Sequence, residues 1–123
     1  MGRRILIDTD ILIDYVKGRL TLPYDIYYIS EITLYEFIRG TTKPEKAKSL
    51  LEKEFIIIFN DNEIIRKAAE IWRKLKKEGK PVDDRDLIIG AIAITKELTL
   101  YTKNTKHFER LKPYGIKIVN HIS

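Results

Sequence analysis

RRILIDTDILIDYVKG, running from Arg3 to Gly18, holds the order of the whole chain in miniature. Arg3–Ile7 is a short β-rich apolar run, and Ile11, Leu12, Tyr15 and Val16 follow at helical spacing before Gly18, so the stretch predicts strand, turn and helix with Asp8 at the junction. The same grammar recurs downstream. IYYIS (26–30) is a second strand whose Ser30 can cap the helix SEITLYEFIRG, and a new helix starts in TTKPEKAKSLLEKE with Pro44 in its first turn. FIIIF (55–59) is a continuous apolar run, as expected for a strand covered on both faces. The span 61–79 predicts the longest helix, with Ile64, Ala68, Ile71, Trp72 and Leu75 as its core stripe. KPVDDRD is a loop feeding the deeply apolar helix LIIGAIAITKE; LTLYT (98–102), a short helix in NTKHFERLK and a last strand IKIV (116–119) complete the chain. Alternating strands and helices of these lengths predict an α/β fold: one domain over 1–123, with a mainly parallel central sheet of four to five strands and helices on both faces.

The composition narrows the function. At 123 residues and 44% hydrophobic content the chain can bury one core and is too short to argue for two. The absence of cysteine excludes disulfides, thiolate metal sites and thiol catalysis, so any metal must take oxygen or imidazole ligands. Asp8, Asp10 and Asp14 interrupt the apolar stretch that a signal peptide needs, and the longest apolar run, Leu87 to Ile94, falls far short of the roughly 20 residues that cross a bilayer. A cytoplasmic protein without membrane attachment is expected. The net charge of +5 favours polyanionic partners, though solvated lysines on helix faces account for part of it.

Three acids stand out because each sits where a strand hands over to a helix or within the helix that follows. Asp8 ends the first strand, with Thr9 and Asp10 beside it; each of these alone reads first as a helix cap, and only company from elsewhere in the chain shifts the balance. Glu36 lies on a helix whose Ile32, Leu34, Tyr35, Phe37 and Ile38 leave little polar face, and a surface pair with Arg39 or Lys43 would explain little of its presence. Asp86 directly precedes the apolar helix and is placed to face inward, while Asp83 and Asp84 suit cap and solvent; Arg85 could pair with a neighbour or touch a phosphate. Open parallel sheets bind ligands beyond the carboxyl ends of their strands. Acids gathered there would repel one another unless a cation neutralised them, so the set predicts a hard metal ion.

LIDTDILIDYVKG, ISEITLYEFIRG, DLIIGAIA and LTLYTKNTKHFERL together resemble, in order and spacing, the successive motifs of PIN-domain ribonucleases, especially the VapC-type toxins of toxin–antitoxin pairs. The resemblance spans nearly the whole chain. It implies a PIN-like nuclease domain, divalent metal (Mg²⁺ or Mn²⁺) bound by Asp8, Glu36 and Asp86 as the catalytic set, an RNA substrate cut to 5′-phosphate products, a homodimer, and a cognate VapB-like antitoxin that inserts a segment near the site. The family often adds a fourth acid after the strand ending in Thr. Here that segment offers Asn104 and then His107, so one tightly held ion is the expectation. Thr9, Asp10, Thr102 and Asn104 are candidates for orienting water, metal or phosphate; turn formation explains the threonines nearly as well, and His107 reads equally as a surface residue.

Such a site hydrolyses a phosphodiester by metal-activated water and needs no histidine base, in keeping with only two histidines, both near the C-terminus. Basic side chains at the crevice would hold the RNA backbone, and some of the seven tyrosines would stack unpaired bases. Two other readings compete. A non-catalytic PIN module in RNA processing would show a broken acid set, and a phospho-receiver domain would use Asp8, Asp10, Asp61 and Lys103, with Asp61 as the acceptor.

Overall fold

Along the chain the elements are β1 (Arg4–Ile7), α1 (Thr9–Val16), β2 (Ile26–Ser30), α2 (Glu31–Ile38), α3 (Pro44–Glu54), β3 (Ile56–Ile58), α4 (Asn62–Lys77), α5 (Asp84–Thr95), β4 (Thr99–Tyr101), α6 (Thr105–Phe108) and β5 (Lys117–Val119), with a 3-10 segment at Glu109–Tyr114. These come from a computed structural model that describes residues 2–123. The strands form one sheet in the order β3-β2-β1-β4-β5, and every neighbouring pair is parallel. The expectation of four to five mainly parallel strands is met by five wholly parallel ones.

Alternation along β1 divides the interior. Ile5 and Ile7 point into one cluster with Ile11 and Leu12 of α1, Leu34 of α2 and Leu51 of α3, whereas Leu6 points into the other with Ile64 and Ile71 of α4 and Leu87, Ile89 and Ile92 of α5. Helices therefore cover both faces. Local signals set the helix starts: the Ser30 hydroxyl accepts from Thr33 N at 3.0 Å, the Asp61 carboxylate accepts from Ile64 N at 2.9 Å, and Pro44 stands in the first turn of α3. Gly90 lies mid-way in the buried α5, where an added Cβ would overlap Leu111 Cδ1, so the bare backbone leaves room for that buried side chain as it is packed here.

Two expectations need correction. β3 is only partly covered: it lies at the sheet edge, where Ile57 and Ile58 pack against opposite core clusters but Ile56 stays 50% and the following Phe59 60% exposed. An unbroken apolar run identifies a strand but carries no information about its neighbours. Trp72 likewise leaves the core stripe of α4 and is 42% exposed, with the Lys76 ammonium 4.7 Å from its ring centroid. The four remaining stripe residues, Ile64, Ala68, Ile71 and Leu75, are buried.

The chain runs outward from β1 through β2 to β3, then returns across the sheet to β4 and β5. The strand order thus reverses between β1 and β4, which makes the carboxyl ends of those two strands the switch point of the sheet.

Candidate functional site

At that switch point both ladders of β4 extend one residue past the strands. Asp8 N donates to Tyr101 O at 3.0 Å, continuing the β1–β4 ladder, and Thr102 N donates to Val119 O at 3.1 Å, continuing the β4–β5 ladder, so Asp8 and Thr102 both stand at the carboxyl edge of the sheet. Thr102 is fully buried, and its hydroxyl donates to Asp8 Oδ2 at 2.9 Å. The other oxygen of Asp8 accepts from Thr9 N at 2.8 Å, so Asp8 caps α1 as well as facing the crevice. The cap reading is met, on a side chain that also lines the crevice.

Glu36 comes in from α2. Its Oε1 accepts from the Thr9 hydroxyl at 2.6 Å, and that hydroxyl lies 3.0 Å from Thr33 Oγ1. Asp86 comes from the first turn of α5 and is 7% exposed. The three carboxylates meet around the guanidinium of Arg85. Nε donates to Glu36 Oε2 at 2.8 Å, Nη1 to Asp86 Oδ1 at 2.8 Å, and Nη2 to Asp8 Oδ1 at 2.7 Å, Glu36 Oε1 at 2.9 Å and Thr9 Oγ1 at 3.1 Å. The Asp8 and Glu36 oxygens that share Nη2 are necessarily less than about 6 Å apart, close to the roughly 4–5 Å that two oxygens span across one ion. Glu36 does not pair with Arg39 or Lys43; the Arg39 guanidinium instead lies 5.2 Å from the centroid of the Tyr35 ring.

Electrostatics follow from this packing. Burial pushes Asp86 above the ordinary carboxyl range, and the hydrogen bond from Arg85 only partly offsets it. Burial would raise Glu36 too, but the bonds from Arg85 and Thr9 outweigh it and hold that carboxyl below its usual value. Burial opposes the charge on Arg85, yet Glu36 and Asp8 together raise its pKa further above its already high value. One positive charge faces three carboxylates, so the crevice keeps net negative charge.

The surrounding candidates occupy a second layer. Asp10 Oδ2 accepts from Lys103 N at 2.9 Å and from Asn104 Nδ2 at 3.4 Å, and burial together with the Asp8 charge raises its pKa. Asn104 thus turns its amide nitrogen to Asp10. Asp14 pairs with Lys103 and lies 3.6 Å from Arg19. His107 Nδ1 stands 3.4 Å from Asp86 Oδ2 on a largely exposed side chain, so the histidine that read equally as a surface residue borders the site. Asp83 and Asp84 are exposed, and Asp83 occupies the cap position without a capping side-chain bond. Asp8, Thr9, Asp10, Glu36, Arg39, Asp83, Arg85, Asp86, Asn104 and His107, with Ile13, line an open cleft of about 360 Å³. No tyrosine is among the lining residues, so base stacking on tyrosine does not arise within the cleft itself.

Among the described residues no three Asp, Glu or His side chains are arranged to hold a metal as they stand, because the guanidinium spreads the carboxylates to its own spacing. The donor chemistry nonetheless fits a hard divalent cation: Asp8, Glu36, Asp86 and the Thr9 hydroxyl offer oxygen, there is no sulfur, and anionic charge is left over. Sequence reasoning placed the acids and missed that Arg85 lies between them. The available signal was its position, since a cation in the first turn of a helix opposes the helix dipole and needs a compensating partner.

Asp61, which a receiver domain would phosphorylate, lies elsewhere. It caps α4 and bonds Lys96 at the far end of α5, ten residues or about 15 Å of helix from Asp86.

A wholly parallel α/β sheet with acids from three separate segments gathered at its switch point is the arrangement expected of a PIN domain. The chain belongs to the PIN-domain family, whose model matches residues 5–112. It is 47% identical over 117 residues to ribonuclease VapC1 of Methanocaldococcus jannaschii, covering 94% of this chain and 86% of that protein. The tRNA(fMet)-specific endonuclease VapC of Shigella flexneri is 28% identical over 121 residues, 88% of this chain and 92% of that one. Among solved structures, VapBC-1 from nontypeable Haemophilus influenzae superposes with a TM-score of 0.77 at 26% identity, covering 94% of this chain and 96% of its own. No helix in the described residues is long and apolar enough to cross a membrane.

Proposed function

We propose that this chain is a divalent-metal-dependent endoribonuclease of the VapC type, with Asp8, Glu36 and Asp86 as its metal-binding and catalytic carboxylates and Mg²⁺ or Mn²⁺ as the ion. The observation that carries this reading is the convergence of those three acids, from three separate segments, on one guanidinium at the switch point of the sheet. The ribonuclease activity of the Methanocaldococcus jannaschii and Shigella flexneri relatives supports RNA as the substrate, and tRNA is one candidate class.

When bound, the cation supplies Lewis acidity and lowers the pKa of water at the phosphodiester. The chain does the rest. Thr102 fixes the rotamer of Asp8 from beneath, and Thr9 does the same for Glu36. Asp10 ties the Lys103–Asn104 turn to the start of α1 and so holds the rim of the cleft in place. Arg39 on the opposite rim offers a cation to the RNA backbone. With Asn104 standing where the family often has a fourth acid, one ion per site is the reading we hold to.

A VapB-like antitoxin is the proposed partner, in line with the VapBC complex seen for the Haemophilus influenzae relative. A groove between α1, α2 and α3, about 1080 Å³ and lined by Val16, Leu20, Phe37 and Leu50, shares Glu36 with the cleft and would seat an apolar antitoxin segment beside the acids. A homodimer is proposed on the same footing, with Ile56, Phe59 and Ile65 as exposed apolar surface for a second copy. The direct test is cleavage of a tRNA pool by purified protein. Activity is expected with Mn²⁺ or Mg²⁺, none with EDTA, and none for Asp8→Asn, which keeps a capping side chain on α1. Full cleavage in EDTA would end this reading.

A further inference from the structure

Among the described residues Arg85 is the one cation whose every guanidinium nitrogen is spent on the candidate acids, and it sits in the wrong place for a structural arginine. At the start of α5 it faces the positive end of the helix dipole, and its neighbours in sequence are Asp84 and Asp86. What holds it is the crevice: five hydrogen bonds between 2.7 and 3.1 Å to Asp8, Thr9, Glu36 and Asp86. Its side chain stays 28% exposed at the open mouth of the cleft, so it can turn outward about its own rotamers without unpacking any core residue.

A divalent cation and this guanidinium want the same oxygens. Asp8 Oδ1, both oxygens of Glu36 and Asp86 Oδ1 are all engaged by Arg85, and closing these groups onto an ion at bonding distances of about 2.0–2.1 Å requires the guanidinium to leave. Once outside, a planar fork of donors tethered next to Asp86 has one strong partner available at a nuclease cleft, the phosphate of the bound strand.

We propose that Arg85 exchanges with the metal: without it, Arg85 holds the three carboxylates as their internal counter-ion, and with it, Arg85 turns out to clamp the RNA phosphodiester at the cleft mouth. This rests on the nuclease reading above and adds a positioning residue to it. The exchange makes metal affinity weaker than the carboxylates alone would give, because only the fraction of molecules with Arg85 withdrawn is competent to bind. The same residue makes RNA affinity stronger once metal is in place.

Two titrations on the full chain decide it: MnCl₂ by calorimetry, and a labelled single-stranded RNA oligonucleotide by fluorescence anisotropy at saturating Ca²⁺. For Arg85→Ala the expected result is Mn²⁺ binding tighter by about tenfold, the consequence of a competent fraction near one in ten in the parent. RNA binding is expected to weaken by about tenfold with the loss of a charged hydrogen-bonding partner. The opposite signs matter, because a merely structural arginine would weaken both. Arg85→Lys keeps the charge, loses the fork and is expected between the two; it also serves should the alanine variant fold poorly. Mn²⁺ affinity unchanged or lowered in both variants, or RNA affinity unchanged, overturns the exchange while leaving the metal site standing. If neither parent nor variants bind Mn²⁺, the nuclease reading falls and takes this inference with it.

Discussion

Helix α5 carries a multiply paired cation at each end, and the two clusters differ in one physical respect. At its N-terminus Arg85 bonds Asp8, Glu36 and Asp86; at its C-cap Lys96 bonds Asp61 at 2.6 Å and Glu63 at 3.2 Å. The cations are almost equally exposed, 28% for Arg85 and 29% for Lys96. Their acids are not: the side chains of Asp8, Asp86 and Glu36 are largely covered, whereas those of Asp61 and Glu63 are open to water. Lys96 also stands at the helix end that the dipole favours for a cation, and Arg85 at the end it disfavours. A solvated pair is worth little because water competes for both charges. Anions held in a partly dry crevice have no such competitor, so they keep a demand for positive charge that a stronger cation can meet. What makes a site here is the burial of the acids, not the presence of the base.

The contrast breaks or sharpens under substitution. The largest effect is expected from Asp86→Asn set against Lys96→Ala: RNA cleavage should fall on the order of 10²–10³-fold in the first, the scale of removing one group that meets developing charge, and stay at the parental rate in the second. Comparable losses in both would erase the distinction between the two ends. Next in size, Mn²⁺ at a hundredfold excess over its dissociation constant should add about 2.7 kcal/mol of stability to the parent, read as a rise in Tm that EDTA reverses. The same rise should persist in Lys96→Ala and vanish in Asp8→Asn.

Thr102→Val keeps the buried volume and deletes the hydroxyl that serves both Asp8 Oδ2 and Asn104 N. It should cost about 1–3 kcal/mol through the groups left unpaired, measured by denaturant unfolding, and lower cleavage by roughly 10–100-fold through a loosened Asp8. A variant as stable and active as the parent would show that Asp8 needs no support from β4. The smallest effect belongs to the solvated end. The hydrogen bond from Lys96 holds the Asp61 carboxyl below its ordinary value, so its contribution is present at neutral pH, above the unfolded carboxyl pKa, and is lost as pH falls through the lower folded one. The Tm gap between parent and Lys96→Ala should therefore be small at neutral pH and close in acid. A gap that widens there would reverse the assigned sign.

Much of the architecture is legible in local sequence. The β1–α1 unit is legible because the apolar period changes from strand to helix within a few residues at Asp8, and the Ser30 and Asp61 caps and the Pro44 start are local signals that tertiary context does not overrule. The three acids are legible because each adjoins a strand end or buried helix. Edge and interior are not: β3 is as apolar in sequence as a covered strand and the strand order leaves it at the edge, and Trp72 continues the apolar stripe of α4 yet stays 42% exposed. Arg85 is visible as a residue but not as the hub, since its partners lie 49 and 77 residues away.

The amino-acid sequence alone determined the alternation of strands and helices, the absence of sulfur ligands from cysteine and the identity of the acids, because these depend on side-chain period and type within a few residues. Tertiary structure decided that the chain reverses between β1 and β4, that Asp8, Glu36 and Asp86 lie within reach of one guanidinium, and that Asp61 stands a helix length away. Those are outcomes of long-range packing, in which the burial of both faces of β1 selects the neighbours that local sequence cannot name.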